Sequence, residues 1–132
     1  LGVALDEDPA DARAALEAAV AEACRSDPWL AENPVEVEWW GGQFASGRLP
    51  EASDLDHRVA DLHHEVTGRA TPTFGVPAGT DMRLLAGIGG IPTVHYGPGS
   101  IDLAHAPDEA VPIADVETAA TVLALLALDL CG

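Results

Sequence analysis

GIPTVHYGPGSIDLAHAPDE, residues 90–109, holds an apolar stretch, a glycine–proline–glycine turn and a histidine set between two alanines. "IPTVHYG" (91–97) reads as a strand, Gly97-Pro98-Gly99 as the turn that ends it, and His105 as part of the loop beyond. Loops past strand ends are where sheets flanked by helices build their sites. A neutral imidazole there suits a metal ion, with a nearby carboxylate or carbonyl fixing its tautomer. Metal sites take three or four ligands, and the adjacent sequence adds only Asp108 and Glu109. On spacing alone two readings of His105 stay open, a ligand and a turn residue.

Working outward, "TDMRLLAGIG" (80–89) predicts a short helix and "PTFGVP" (72–77) a buried strand. Before them a helix starts at a Ser53 or Asp54 cap, carries Leu55, Val59, Leu62 and Val66 on one face, and stops at Gly68. The last helix spans about 115–130. Its stripe is Val116, Ala120, Leu123, Ala127 and Leu130, and Val122, Leu125, Leu126 and Leu128 cover most of the rest. Such a helix is buried on several sides, and a partner chain or further sequence is expected to cover it. Strands alternating with helices predict an α/β layered sheet for this half.

Toward the N-terminus, residues 1–5 are strand-like. Asp8 is placed to cap a helix that begins with Pro9 and carries Asp11 in its first turn. Ala12, Ala15, Leu16, Ala19, Val20 and Ala23 form its apolar stripe, and Asp27-Pro28 ends it. "PVEVEWWGGQF" (34–44) alternates, with Val35, Val37 and Trp39 on one face and Glu36, Glu38 and Trp40 on the other, a half-exposed strand. Two strands and a helix are too few to stand alone. The polar, turn-rich "ASGRLPEASD" (45–54) is the best linker candidate, and the chain reads as a segment of something longer.

Twenty-two acidic residues face six basic ones, all arginine, for a formal charge of −16. That surface repels phosphate backbones and anionic headgroups, which argues against nucleic acid and membrane surfaces as partners. It favours cations. Cys24 and Cys131 lie near opposite ends with no metal-type spacing; one disulfide between them is an alternative, and free thiols in a reducing cytoplasm are the better reading. No charge-free apolar run reaches spanning length.

The other chemistry-bearing residues divide quickly. His57 and His64 share a helix face opposite the apolar stripe, with His63 at its border; they read as solvated histidines, or as a mononuclear zinc site together with His105. His95, inside the apolar 91–97 stretch, reads as a core or pocket-lining residue. In "AGTDMR" (78–83), Thr80, Asp81 and Arg83 suit a carboxylate ligand; the plainer reading is an Asp81 cap with a surface arginine. "AGIGGIP" (86–92) has no phosphate-loop lysine, and Ser46 in "GQFASGR" (42–48) lacks a nucleophile-elbow context.

In this order, "GTDMR", "GIPTVHYGPG", "AHAPDE" and "VPIADVETAATVLALLALDL" resemble the C-terminal end of the acetylornithine deacetylase/succinyl-diaminopimelate desuccinylase family of zinc amidohydrolases and peptidases. Residues 6–44 resemble the end of that family's inserted lid. The resemblance implies a small α+β, ferredoxin-like lid or dimerisation domain ending at residues 1–47. It implies that 48–132 are the C-terminal part of a layered sheet-and-helix catalytic domain. His105 would be the last ligand of a two-zinc centre, with cobalt or manganese as alternatives. Thr80, Asp81 and Arg83 would lie by the substrate's carboxylate, Gly97, Pro98 and Gly99 would shape the loop to His105, and Glu109 would hold that loop. Asp108 stands where the family usually has asparagine, exchanging an amide for an acceptor-only carboxylate.

The family's HxD motif, bridging aspartate and Glu-Glu pair are not found in these residues. The implied activity is amide hydrolysis of an N-acyl amino acid or dipeptide-like substrate by a cytoplasmic homodimer, the segment alone being inactive. The alternative, motivated by Trp39, Trp40 and the apolar last helix, is a non-catalytic module for dimerisation or partner binding.

Overall fold

The computed structural model describes residues 2–42 and 44–132. The readings at Leu1 and Gln43, in the first and second strand-like stretches, lie outside the described residues. The chain forms two compact units: residues 1–48 with 77–91, and residues 49–76 with 92–132.

In the first unit, α1 runs Pro9–Ser26. The Asp8 carboxylate accepts the Ala10 N–H at 2.7 Å, and proline at the first helical position loses no bond that the helix would have made. Asp27 does more than end α1. Its Oδ1 accepts the Trp29 and Leu30 N–H groups, each at 2.9 Å, and so starts α2, Pro28–Glu32, which packs on α1. Ala12 and Cys24 are the buried residues of α1, while Ala15, Ala19 and Ala23 of the expected stripe remain exposed. The unit ends with a six-residue π-helical turn, Arg83–Ile88, where a short helix is expected.

In the second unit, α3 spans Leu55–Thr67 and α4 spans Ile113–Cys131, packed together. At the start of α3 the serine is the capping side chain: Ser53 Oγ accepts the Leu55 N–H at 3.3 Å, while Asp54 makes no cap bond. Gly68 closes the helix at φ +69°, a left-handed conformation that costs glycine nothing, and its N–H donates to the His64 carbonyl at 2.7 Å. Arg58 on α3 reaches Asp54 at 3.0 Å and Asp129 on α4 at 2.6 Å. The core side of α4 is Ala119 and Val122, with Leu125 and Leu126 half-buried. Val116, Leu123 and Leu130 of the expected stripe are exposed.

The expected α/β layered sheet, and the α+β lid before it, are not what forms. Among the described residues there are helices and no strand. A strand is completed by a hydrogen-bonding neighbour, which alternation within one segment cannot supply. Residues 36–40 keep two faces without a sheet: Val37 and Trp39 are half-buried, Glu36, Glu38 and Trp40 exposed, while Val35 of the expected inner face is exposed as well. Residues 72–77 are not a buried strand, since Phe74 is 64% exposed. His95 is likewise exposed and not a core histidine, while its neighbours Val94 and Tyr96 turn toward α3 and α4.

Among the described residues buried apolar side chains are few: Ala12, Cys24, Val59, Ala86, Ala119 and Val122. The accessible surface is 9754 Å². A folded monomer of this mass exposes about 6,600 Å², and two separate domains of half that mass about 7,900 Å². Many large apolar side chains are exposed, with Trp40 at 85%, Ile88 at 80% and Ile113 at 77%. No helix among the described residues is long and apolar enough to cross a membrane.

Candidate functional site

Two stations carry the residues that the sequence singles out, one in each unit. In the first unit, residues 78–83 form a turn held by its own backbone. Thr80 Oγ1 accepts the Met82 N–H at 3.3 Å, and the Asp81 carbonyl accepts the Leu84 and Leu85 N–H groups at 2.9 and 3.0 Å. Asp81 itself is exposed. Arg83 is half-buried and its guanidinium lies over the Phe44 ring, 4.8 Å from the centroid. Its Nε is buried and has no hydrogen-bond partner among the described residues. The sequence gives no direct sign of the Phe44 contact. Glycines at 42 and 79, where a Cβ would meet the Phe44 ring, hint at a close approach.

The second station is the loop from Gly97 to Glu109. Gly99 has φ +87°, and a Cβ there would meet Val111 Cγ2 at 3.2 Å, so this turn requires glycine. A 3-10 turn, Ile101–Leu103, is capped by Ser100, whose Oγ accepts the Asp102 N–H at 3.3 Å. His105 follows at φ +64°, one of two non-glycine residues with positive φ among those described. Its N–H donates to Glu109 Oε2 at 3.0 Å, and the Glu109 N–H donates to the Ala106 carbonyl at 3.1 Å. The Glu109 carboxylate thus closes the loop on the backbone of His105. The His105 side chain is exposed. A left-handed histidine is strained, and such strain concentrates where a side chain must be presented.

Tyr96 precedes the Gly97-Pro98-Gly99 turn. Its hydroxyl and His63 Nδ1 on α3 are 2.8 Å apart and the rings meet edge to face, which ties this segment to α3. Burial pushes the Tyr96 phenol above its ordinary value. The Arg58 guanidinium is also raised, by its hydrogen bonds to Asp129 and Asp54. His57 and His64 are exposed on α3.

Among the described residues no three His, Cys, Asp or Glu side chains are grouped to hold a metal ion. The mononuclear site with His57, His63 or His64 and His105 is therefore not assembled, and His63 is engaged with Tyr96. Nor do the described residues by themselves assemble a two-zinc centre, since His105 belongs to no group of three such side chains. Cys24 and Cys131 are free thiols.

The family model described as Peptidase family M20/M25/M40 matches residues 3–129. The chain is 31% identical over 100 residues to an N-formyl-4-amino-5-aminomethyl-2-methylpyrimidine deformylase of Halalkalibacterium halodurans, a match covering 70% of this chain and 23% of that protein. It is 33% identical over 105 residues to a LysW-lysine hydrolase of Deinococcus radiodurans, covering 73% of this chain and 28% of that protein. The chain thus spans about a quarter of the length of the curated relatives it matches. No solved structure matches it significantly. With the turn at 80–83, the glycine turn at 97–99 and the loop at His105 in this order, and a match running nearly end to end, the chain belongs to peptidase family M20/M25/M40.

Proposed function

We propose that these residues are the C-terminal part of an amidohydrolase that cleaves the amide bond of an N-acyl amino acid or dipeptide-like substrate. The observation that carries this reading is Arg83, whose buried Nε has no hydrogen-bond partner among the described residues, in a chain that the family model matches nearly end to end. Arg83, with Thr80 and Asp81 in its turn, is the contact for the substrate's carboxylate, because a guanidinium edge matches a carboxylate in a two-bond fork. Gly97, Pro98 and Gly99 form the loop wall on the way to His105.

His105 is assigned as one metal ligand of the longer enzyme, with zinc the expected metal and cobalt or manganese the alternatives. The remaining donors, and the carboxylate that moves protons, come from residues beyond these 132. By chain order, residues 1–47 are the end of a lid through which the enzyme forms a homodimer, and 48–132 belong to its catalytic domain. A cytoplasmic setting agrees with two free thiols.

The test is amide hydrolysis and metal content of the 132-residue chain, measured alone and joined to the reading frame upstream of Leu1. The expected outcome is neither hydrolysis nor stoichiometric zinc for the chain alone, and both for the joined protein. Tight stoichiometric zinc in the chain alone would overturn the claim that His105 needs outside ligands. A joined protein that dimerises yet neither binds metal nor hydrolyses amides would favour the non-catalytic module.

A further inference from the structure

Arg83 is held at both ends, by neighbouring backbone at its root and by an aromatic ring at its head. A Cβ on Gly47 would stand 2.8 Å from the Arg83 backbone nitrogen, so the 44–47 segment passes directly against the root of this arginine. At the head, the guanidinium carbon lies over the Phe44 ring, 4.8 Å from its centroid. Two further glycines make room for the ring. A Cβ on Gly42 or on Gly79 would collide with Phe44 ring atoms, in the case of Gly79 reaching Cγ at 2.8 Å. Two glycines in separate segments therefore leave space for one aromatic ring.

The charge pattern adds an independent point. The chain carries twenty-two acidic residues and six arginines. Arg25 pairs with Glu22, Arg48 with Asp6, and Arg58 with Asp54 and Asp129. Arg13, Arg69 and Arg83 pair with no acidic residue among those described, and what sets Arg83 apart is its Nε, buried without a hydrogen-bond partner. A cation–π contact holds the flat face and leaves the N–H edge free to fork a carboxylate.

We propose that Phe44 is a positioning residue for Arg83, its ring fixing the guanidinium so that the N–H edge takes the carboxylate of a small ligand, with Gly42 and Gly79 admitting the ring. The proposal rests on the reading of Arg83 as the carboxylate contact. Phe44 touches no substrate and acts through Arg83 alone. It sets orientation at little entropic cost when the ligand arrives.

The test is nuclear magnetic resonance of the full 132-residue chain, following the Arg83 Nε–H signal identified by its loss in Arg83→Gln. The probe is N-acetylglycine, and N-acetylglycinamide, which lacks the carboxylate, is the control. N-acetylglycine shifts the Arg83 signal and the amide does not; Arg83→Gln abolishes binding. Phe44→Tyr, which keeps the ring face, binds within about twofold of the parent. Phe44→Leu weakens binding by roughly fivefold or more and moves the Arg83 side-chain protons out of the ring-current field. Phe44→Met serves the same purpose should leucine unfold the unit, with circular dichroism of each variant as the check. No shift in the parent, or unchanged binding by Arg83→Gln, overturns the carboxylate reading itself. Lost binding in Arg83→Gln, with parent affinity and parent Arg83 shifts kept in Phe44→Leu, overturns the role of Phe44 alone.

Discussion

His105 sits at φ +64°, held there by the Glu109 carboxylate on its own N–H. The histidine is disfavoured by its backbone and retained for its side chain. His105→Gly and His105→Ala both remove the imidazole, but only glycine tolerates the left-handed backbone. Urea unfolding should find the glycine variant more stable than the alanine variant by about 1 kcal/mol. Glu109→Ala should cost about 1 kcal/mol by the same measurement, because the His105 N–H loses its acceptor. Tyr96 offers a second test, since it is the chain's one tyrosine. Burial raises its folded pKa, so the native state holds the phenolic proton more tightly than the unfolded chain does. The resulting stability is fully present below pH 10.0, the ordinary value, and is lost as pH rises above it through the folded pKa. Tyrosinate absorbance should rise at a higher pH in the folded protein than in denaturant. Coincident curves would count against a buried, His63-bonded phenol.

At the scale of elements, caps decide where helices begin and end. Asp8 starts α1 and Gly68 closes α3 in a left-handed turn. Asp8→Ala and Gly68→Ala should each lower stability by about 1 kcal/mol, read by thermal unfolding. Arg58 joins α3 to α4 through Asp129 on an exposed surface, where water and salt screen the pair. A double-mutant cycle on Arg58 and Asp129 should give a coupling that shrinks as salt is added, and a coupling independent of salt would contradict this account. The capped helices were legible in the sequence because caps, prolines and periodicity act over a few residues. The buried face of α4 was not. A helix apolar nearly all round has no single stripe, so packing against α3 chose Ala119 and Val122 and left Leu123 and Leu130 in water.

At the scale of the whole molecule, two properties oppose each other. The surface exposes many large apolar side chains, and the chain carries a charge of −16. Apolar patches of this kind draw chains together, whereas like charge holds them apart until salt screens it. Sedimentation should show the chain associating as ionic strength rises from about 0.01 M to 0.5 M, while the Debye length falls from roughly 30 Å to under 8 Å. A chain that stays monomeric across that range would show that its exposed leucines and tryptophans form no adhesive face.

The sequence by itself determined α1 and α3 with their ends, the turns at Gly68 and Gly99, the family, and the order of the residues offered for chemistry. All of these depend on neighbours along the chain. Tertiary structure alone decided that the alternating segments stay unpaired, since a strand needs a second strand that no local pattern provides. It decided which side of α4 is buried and that His95 faces outward. It also decided that Phe44, thirty-nine positions from Arg83 in the chain, lies beneath its guanidinium. Contact between distant residues is set by how the backbone returns on itself, and in the sequence it left only glycines where a ring had to fit.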